Sequence, residues 1–232
     1  LRYQHHFENP GIPGHAHVIN PAEINILDIT SSSIELNNDY KSTIPYQLVN
    51  NNLFTFQSNY LTNDLKLSFH VGYFINNLKE HEKWTRPDFD ISIKHLQLSP
   101  NIRYGVDKFT FNIGSQISTL DNVNNQNDRL VPDASSLSIG PYVIVDFEDD
   151  NFGFNYGVRY DYKSLESKDQ TFDINYENKF SNTSFSAGIF YEYLDNTLRL
   201  TYSGAYRAPH FSELFSDGVH HGTNRYEIGN IN

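Results

Sequence analysis

The chain contains no cysteine, which removes both a disulfide framework and a thiolate metal site from consideration. Basic residues are scarce: 17 Lys and Arg stand against 28 Asp and Glu, for a formal charge of -11. A nucleic-acid partner needs a basic face to neutralise phosphates, so none is expected, and the balance suits a small cation better than an anion. No stretch approaches the ~18 consecutive apolar residues of a membrane-spanning helix. Also missing are a nucleophile elbow, a Gly-rich phosphate loop and a His-Glu-x-x-His helix, so no enzymatic activity is expected. The adjacent carboxylates Asp149 and Asp150 fall in a tight turn, where solvated charge accounts for them. Leu1 is not an initiating Met and no leader precedes it, so a mature, trimmed piece is expected.

What is present is aromatic: 16 Tyr and 17 Phe in 232 residues, although hydrophobic residues reach only 38%. These residues recur with a period of two, the signature of strands. Leu65, Leu67, Phe69, Val71, Tyr73 and Ile75 alternate with Lys66, Ser68, His70, Gly72 and Phe74. Phe152, Phe154, Tyr156, Val158, Tyr160 and Tyr162 alternate with Gly153, Asn155, Gly157, Arg159 and Asp161. Shorter runs repeat the pattern at 109–114 and 198–203.

Connections alternate in length. Short turns are expected at 62–64, 105–107, 148–151 and 195–196, and long polar segments at 76–88, 119–136 and 163–183. Short turns on one side and long loops on the other, with strands of ~9–11 residues, describe an antiparallel transmembrane β-barrel. A soluble β-sandwich also alternates, but the Gly- and Ser-rich polar faces suit a barrel lumen better. The expectation is an all-β partial barrel of about eight strands over residues 42–207, with loops at 1–41 and 208–232. In the third strand, residues 89–103, the apolar phase switches from Phe89, Ile91 and Ile93 to Leu96 and Leu98. A bulge or a strand rising above the membrane would produce that switch. After Pro209, the run from His210 to Ser216 predicts a short helix.

One region resembles a known family. Tyr206-Arg207-Ala208-Pro209, then Glu213-Leu214, then Tyr226-Glu227-Ile228-Gly229-Asn230 follow the motif order of TonB-dependent outer-membrane receptors. A second segment, from Pro10 to His17 (PGIPGHAH), is similar to a histidine-bearing loop in the zinc-uptake branch. The resemblance implies a receptor in the bacterial outer membrane, surrounded by lipid and coupled to TonB, ExbB and ExbD. It also implies a plug domain and further strands, neither of which lies in this chain.

Histidine carries the ligand reading. His5, His6, His15, His17, His220 and His221 lie in the two terminal segments, with Glu8 and Asp217 as carboxylate neighbours and residues 80–82 as a further candidate cluster. Imidazole and carboxylate together suit an open zinc site from which an ion can leave. The bland reading is a polar loop that binds metal adventitiously. Zinc is therefore expected as cargo and no catalytic cofactor is expected. Haem receptors of the same family place an iron-binding His between the two motif boxes, where His220 or His221 stands here, so haem is the alternative. A structural or adhesin-like role is the third reading. His70 and His95 fall on strands, and His70 is expected to form lumen hydrogen bonds.

Overall fold

A strand whose two faces differ needs two different environments, and the fold supplies them. The computed structural model describes residues 1–8, 46–81, 86–87, 89–126, 131–169, 173–220 and 225–231. Nine strands follow one another: β1 (Arg2–Glu8), β2 (Tyr46–Leu61), β3 (Leu65–His81), β4 (Phe89–Val106), β5 (Phe109–Asn124), β6 (Ala134–Asp149), β7 (Phe152–Asp169), β8 (Ile174–Tyr193) and β9 (Asn196–Gly204). They pair antiparallel in strict sequence order to form one sheet. The sheet is followed by a helix, α1 (Phe211–Phe215), and by β10 (Asp217–His220) paired with β11 (Arg225–Ile228).

All four short turns fall within two residues of where the sequence places them, at 62–64, 107–108, 150–151 and 194–195. Asp107 and Leu194 turn the chain with φ of 49° and 52°, the left-handed region that a tight reversal demands. The long segments are shorter than expected, because strands β3, β5 and β7 continue to His81, Asn124 and Asp169. The strand count is also corrected: residues 2–8, expected as loop, add a strand, and the sheet has nine strands instead of eight.

Residues directly opposite one another in a register share a face. On one face lie Phe56, Val71 and Leu98, then Ile102 with Ile113 and Val143, then Tyr156 and Phe185 on their own strands. Large side chains stand open there, with Ile113 and Ile189 about half exposed at 49% and 50%. Water does not tolerate an apolar surface of that extent, and lipid does. The apolar band covers roughly 11 residues per strand, 65–75 on β3 and 152–162 on β7, which is the length needed to cross the hydrocarbon. Above the band the outer face turns polar, with Lys94, Asp121, Glu166 and Glu177, while pairing continues unbroken.

The phase switch in β4 is explained by this emergence. The β3–β4 register runs without a bulge from Leu65↔Tyr104 to Glu80↔Phe89. Ile91 and Ile93 therefore face the lumen above the membrane, whereas Leu96 and Leu98 face lipid.

Candidate functional site

The lumen face of the rising strands is apolar near its upper end, and this decides where the motif region goes. Leu120, Leu165, Ile174, Tyr176 and Phe180 gather there from three strands, with Ala134 from a fourth and Val131 just before it. Helix α1 places Phe211, Leu214 and Phe215 onto them, and Leu165 at the centre is fully buried. Tyr176 meets Phe215 edge-on at 4.9 Å between ring centres. Residues 208–232, expected as an extracellular loop, thus include a helix and a hairpin, and the helix is folded against the wall.

The motif residues hold this arrangement. Tyr206 N–H donates to Ser184 Oγ at 3.1 Å, and Lys163 Nζ donates to the carbonyl of Pro209 at 2.7 Å beside half-buried Ala208. Arg207 grips Glu213 with two bonds, Nη1 to Oε2 at 2.9 Å and Nη2 to Oε1 at 2.7 Å. Glu213 Oε2 also accepts from the backbone N–H of His210 at 2.7 Å, the carboxylate half of a capping box. The guanidinium first, and that N–H second, hold the Glu213 carboxyl down at about 2.

His210 is the helix N-cap. Its Nδ1 lies 3.3 Å from Ser212 N and 2.8 Å from Ser212 Oγ, and an acceptor there must be unprotonated. Burial, then the nearby Lys163 charge, push its imidazole below the usual histidine range, which favours the same neutral form.

The second motif box closes the knot. Gly229 N–H donates to Ser216 O at 2.6 Å and Asn230 N–H to Glu213 O at 2.9 Å, so two carbonyls at the end of α1 find partners. A Cβ on Gly229 would fall against the carbonyl of Leu214 and within 2.5 Å of Phe215 N, so glycine is required. In the hairpin Gly218 pairs with Glu227 and Val219 with Tyr226. Tyr226 Oη donates to Asp217 Oδ1 at 2.6 Å, which pushes the phenol above its usual value.

The candidate metal residues divide by face. His5 shares the outer face with Asn52, 3.0 Å from its Oδ1, whereas His6 faces the lumen. His6 Nε2 lies 2.7 Å from Glu8 Oε1, two residues on along the same face. Glu80 is on the lumen side as well and accepts from Gln47 Nε2 at 2.5 Å. His81 turns outward and stacks on Tyr46 at 4.7 Å. His220 forms the last pair of the hairpin, opposite Arg225. His15, His17, His221 and Glu82 lie outside the described residues. Among the described residues no three His, Asp or Glu side chains stand close enough to hold one ion. His6, Glu8 and Glu80 nevertheless share one face at the end of the sheet away from the short turns.

Comparison with known proteins agrees with this architecture. The family described as "TonB dependent receptor-like, beta-barrel" matches residues 17–232. No curated protein matches the sequence. A solved structure described as "Copper transporter OprC" is similar with a TM-score of 0.57 at 16% identity, over 73% of this chain and 32% of that one. At this identity the likeness is one of fold, and the chain spans about a third of that protein's length.

Proposed function

Because the chain belongs to the TonB-dependent receptor β-barrel family, we propose that it forms part of the wall of an outer-membrane importer for a divalent metal ion, with zinc as the cargo. Such a receptor is a transporter and not an enzyme. In this reading His and carboxylate groups at the extracellular end capture the ion. A plug inside the barrel is then moved through TonB with ExbB and ExbD to admit it.

The observation that carries the metal reading is the His6–Glu8 pair at 2.7 Å on the lumen side of β1. Imidazole and carboxylate side by side are two ligands of the kind zinc takes, and in this reading His15 and His17 supply the others. Two protein ligands bind weakly enough to let go, as transport requires. The likeness to a copper transporter is compatible with metal cargo and adds nothing on which metal it is. Haem, with His220 or His221 as axial ligand, is the competing cargo.

The test is accumulation of zinc by zinc-starved cells whose only outer-membrane zinc route is the full-length receptor. Uptake that requires TonB, and falls when His6, His15 and His17 are changed to Ala, supports the reading. Equal accumulation with and without the receptor removes it.

A further inference from the structure

Three imidazoles face the lumen on β1, β3 and β4, at successive levels. His6 lies level with the Asn51↔Asn76 pair, His95 is opposite Phe74, and His70 is opposite Ser99. The series therefore descends from the extracellular end towards the middle of the membrane band. His5 and His81, by contrast, face outward.

The lower two share a recess. A hollow of about 440 Å³ is lined by His70, His95, Gln57, Gln97 and Ser99. Its floor is Gly72, opposite Gln97 and Thr55, where an added Cβ would meet nothing within 4 Å. Among the described residues neither His70 nor His95 has a hydrogen-bond or ion-pair partner, which corrects the expectation of lumen hydrogen bonds for His70. Their nitrogens are free for a ligand, and hydroxyl and carboxamide oxygens stand beside them.

The geometry points to this recess as a transit site, where His70 and His95 each make a brief contact with a divalent transition-metal ion passing down the lumen. The proposal rests on the reading of the receptor as a metal importer. The two imidazoles are four register positions apart, ~13 Å along the strand, so they act in turn and do not share one ion. A single imidazole with water and carboxamide oxygens holds zinc or copper(II) loosely, and loose holding is what a moving ion needs.

The experiment uses the full-length receptor in two arms. In the first, purified receptor is treated with diethylpyrocarbonate, with and without zinc or copper(II), and modification of each histidine is read by mass spectrometry. Slower modification of His70 and His95 with metal present is expected. No reaction at either residue without metal, or equal reaction with and without it, overturns the transit site whatever the cargo. In the second arm, His70→Ala with His95→Ala is expected to lower the maximal zinc uptake rate roughly fivefold while half-saturation stays unchanged. His70→Gln with His95→Gln should lower it similarly, because glutamine keeps hydrogen bonding but not the imidazole nitrogen. Normal uptake in the Gln pair assigns these positions to hydrogen bonding and overturns the proposal. Wild-type receptor that imports no divalent ion overturns the importer reading, while the modification arm still reports separately on the recess.

Discussion

Arg207 holds Glu213 through two hydrogen bonds of 2.7 and 2.9 Å, and the same carboxylate caps the N–H of His210 at the start of the helix. One ion pair thereby ties the strand exit to the helix, and its protonation sets when the tie fails. The Glu213 carboxyl lies near 2 in the folded chain, below its usual 4.5. A depressed acid stabilises the fold above the ordinary value and loses that contribution as pH falls towards the folded one. Protection of the amides at 210–216, measured by hydrogen exchange and corrected for intrinsic rate, should be constant down to about pH 5 and decline below it. With Glu213→Gln the pH-dependent part should vanish, and protection at neutral pH should be lower throughout.

Gly229 packs its bare Cα against the backbone of α1, and backbone cannot step aside. Gly229→Ala should cost about 1–3 kcal/mol of docking stability, as overpacking does. Gly72→Ala, with open space around it, should cost little. Thermal unfolding and protease cleavage within 217–228 would separate the two variants; equal behaviour would show that Gly229 is not clamped.

Leu165 is fully buried beneath Phe211, Leu214 and Phe215. Leu165→Ala should destabilise the upper wall by about 2–5 kcal/mol, the usual cost of a core cavity. It should also release α1, giving faster hydrogen exchange at 210–216. A slower or unchanged exchange rate would mean that the helix does not depend on this cluster.

Val71 sits on the lipid face between Phe56 and Leu98, while Gln57 is on the lumen face one position along β2. Val71→Arg should cost about 2–4 kcal/mol if placed near mid-bilayer and should reduce the heat-modifiable folded fraction. Gln57→Lys, facing the lumen, should fold normally. Reversed sensitivity would exchange the two faces.

The sequence was informative where each strand has one face in lipid. Residues 65–75 and 152–162 alternate because lipid meets one side and the lumen the other. Above the membrane that contrast ends: Asn50, Asn51 and Asn52 on β2, with Asn76 and Asn77 on β3, are polar on both faces, so periodicity disappears although pairing continues. β1 was missed for the same reason, since His5 and His6 fall on opposite faces of a short segment. The helix after Pro209 was legible from its local signals, but its docking place was not. Leu120, Leu165 and Phe180 lie far apart in polar sequence, and only the register reveals that they share a face. The role of His210 as N-cap was also hidden, because it depends on how the backbone turns around Ser212. Asp217, expected as a candidate ligand, receives the Tyr226 hydroxyl, a contact that the hairpin creates.

The most direct test of divalent-metal import is a calorimetric titration of the full-length receptor in detergent with zinc, with copper(II) and hemin titrated in parallel. Stoichiometric zinc binding that weakens more than tenfold (~1.4 kcal/mol) when His6, His15 and His17 are changed to Ala is the predicted result. Weak, nonstoichiometric zinc binding beside a Soret shift with hemin would contradict it and assign the cargo to haem.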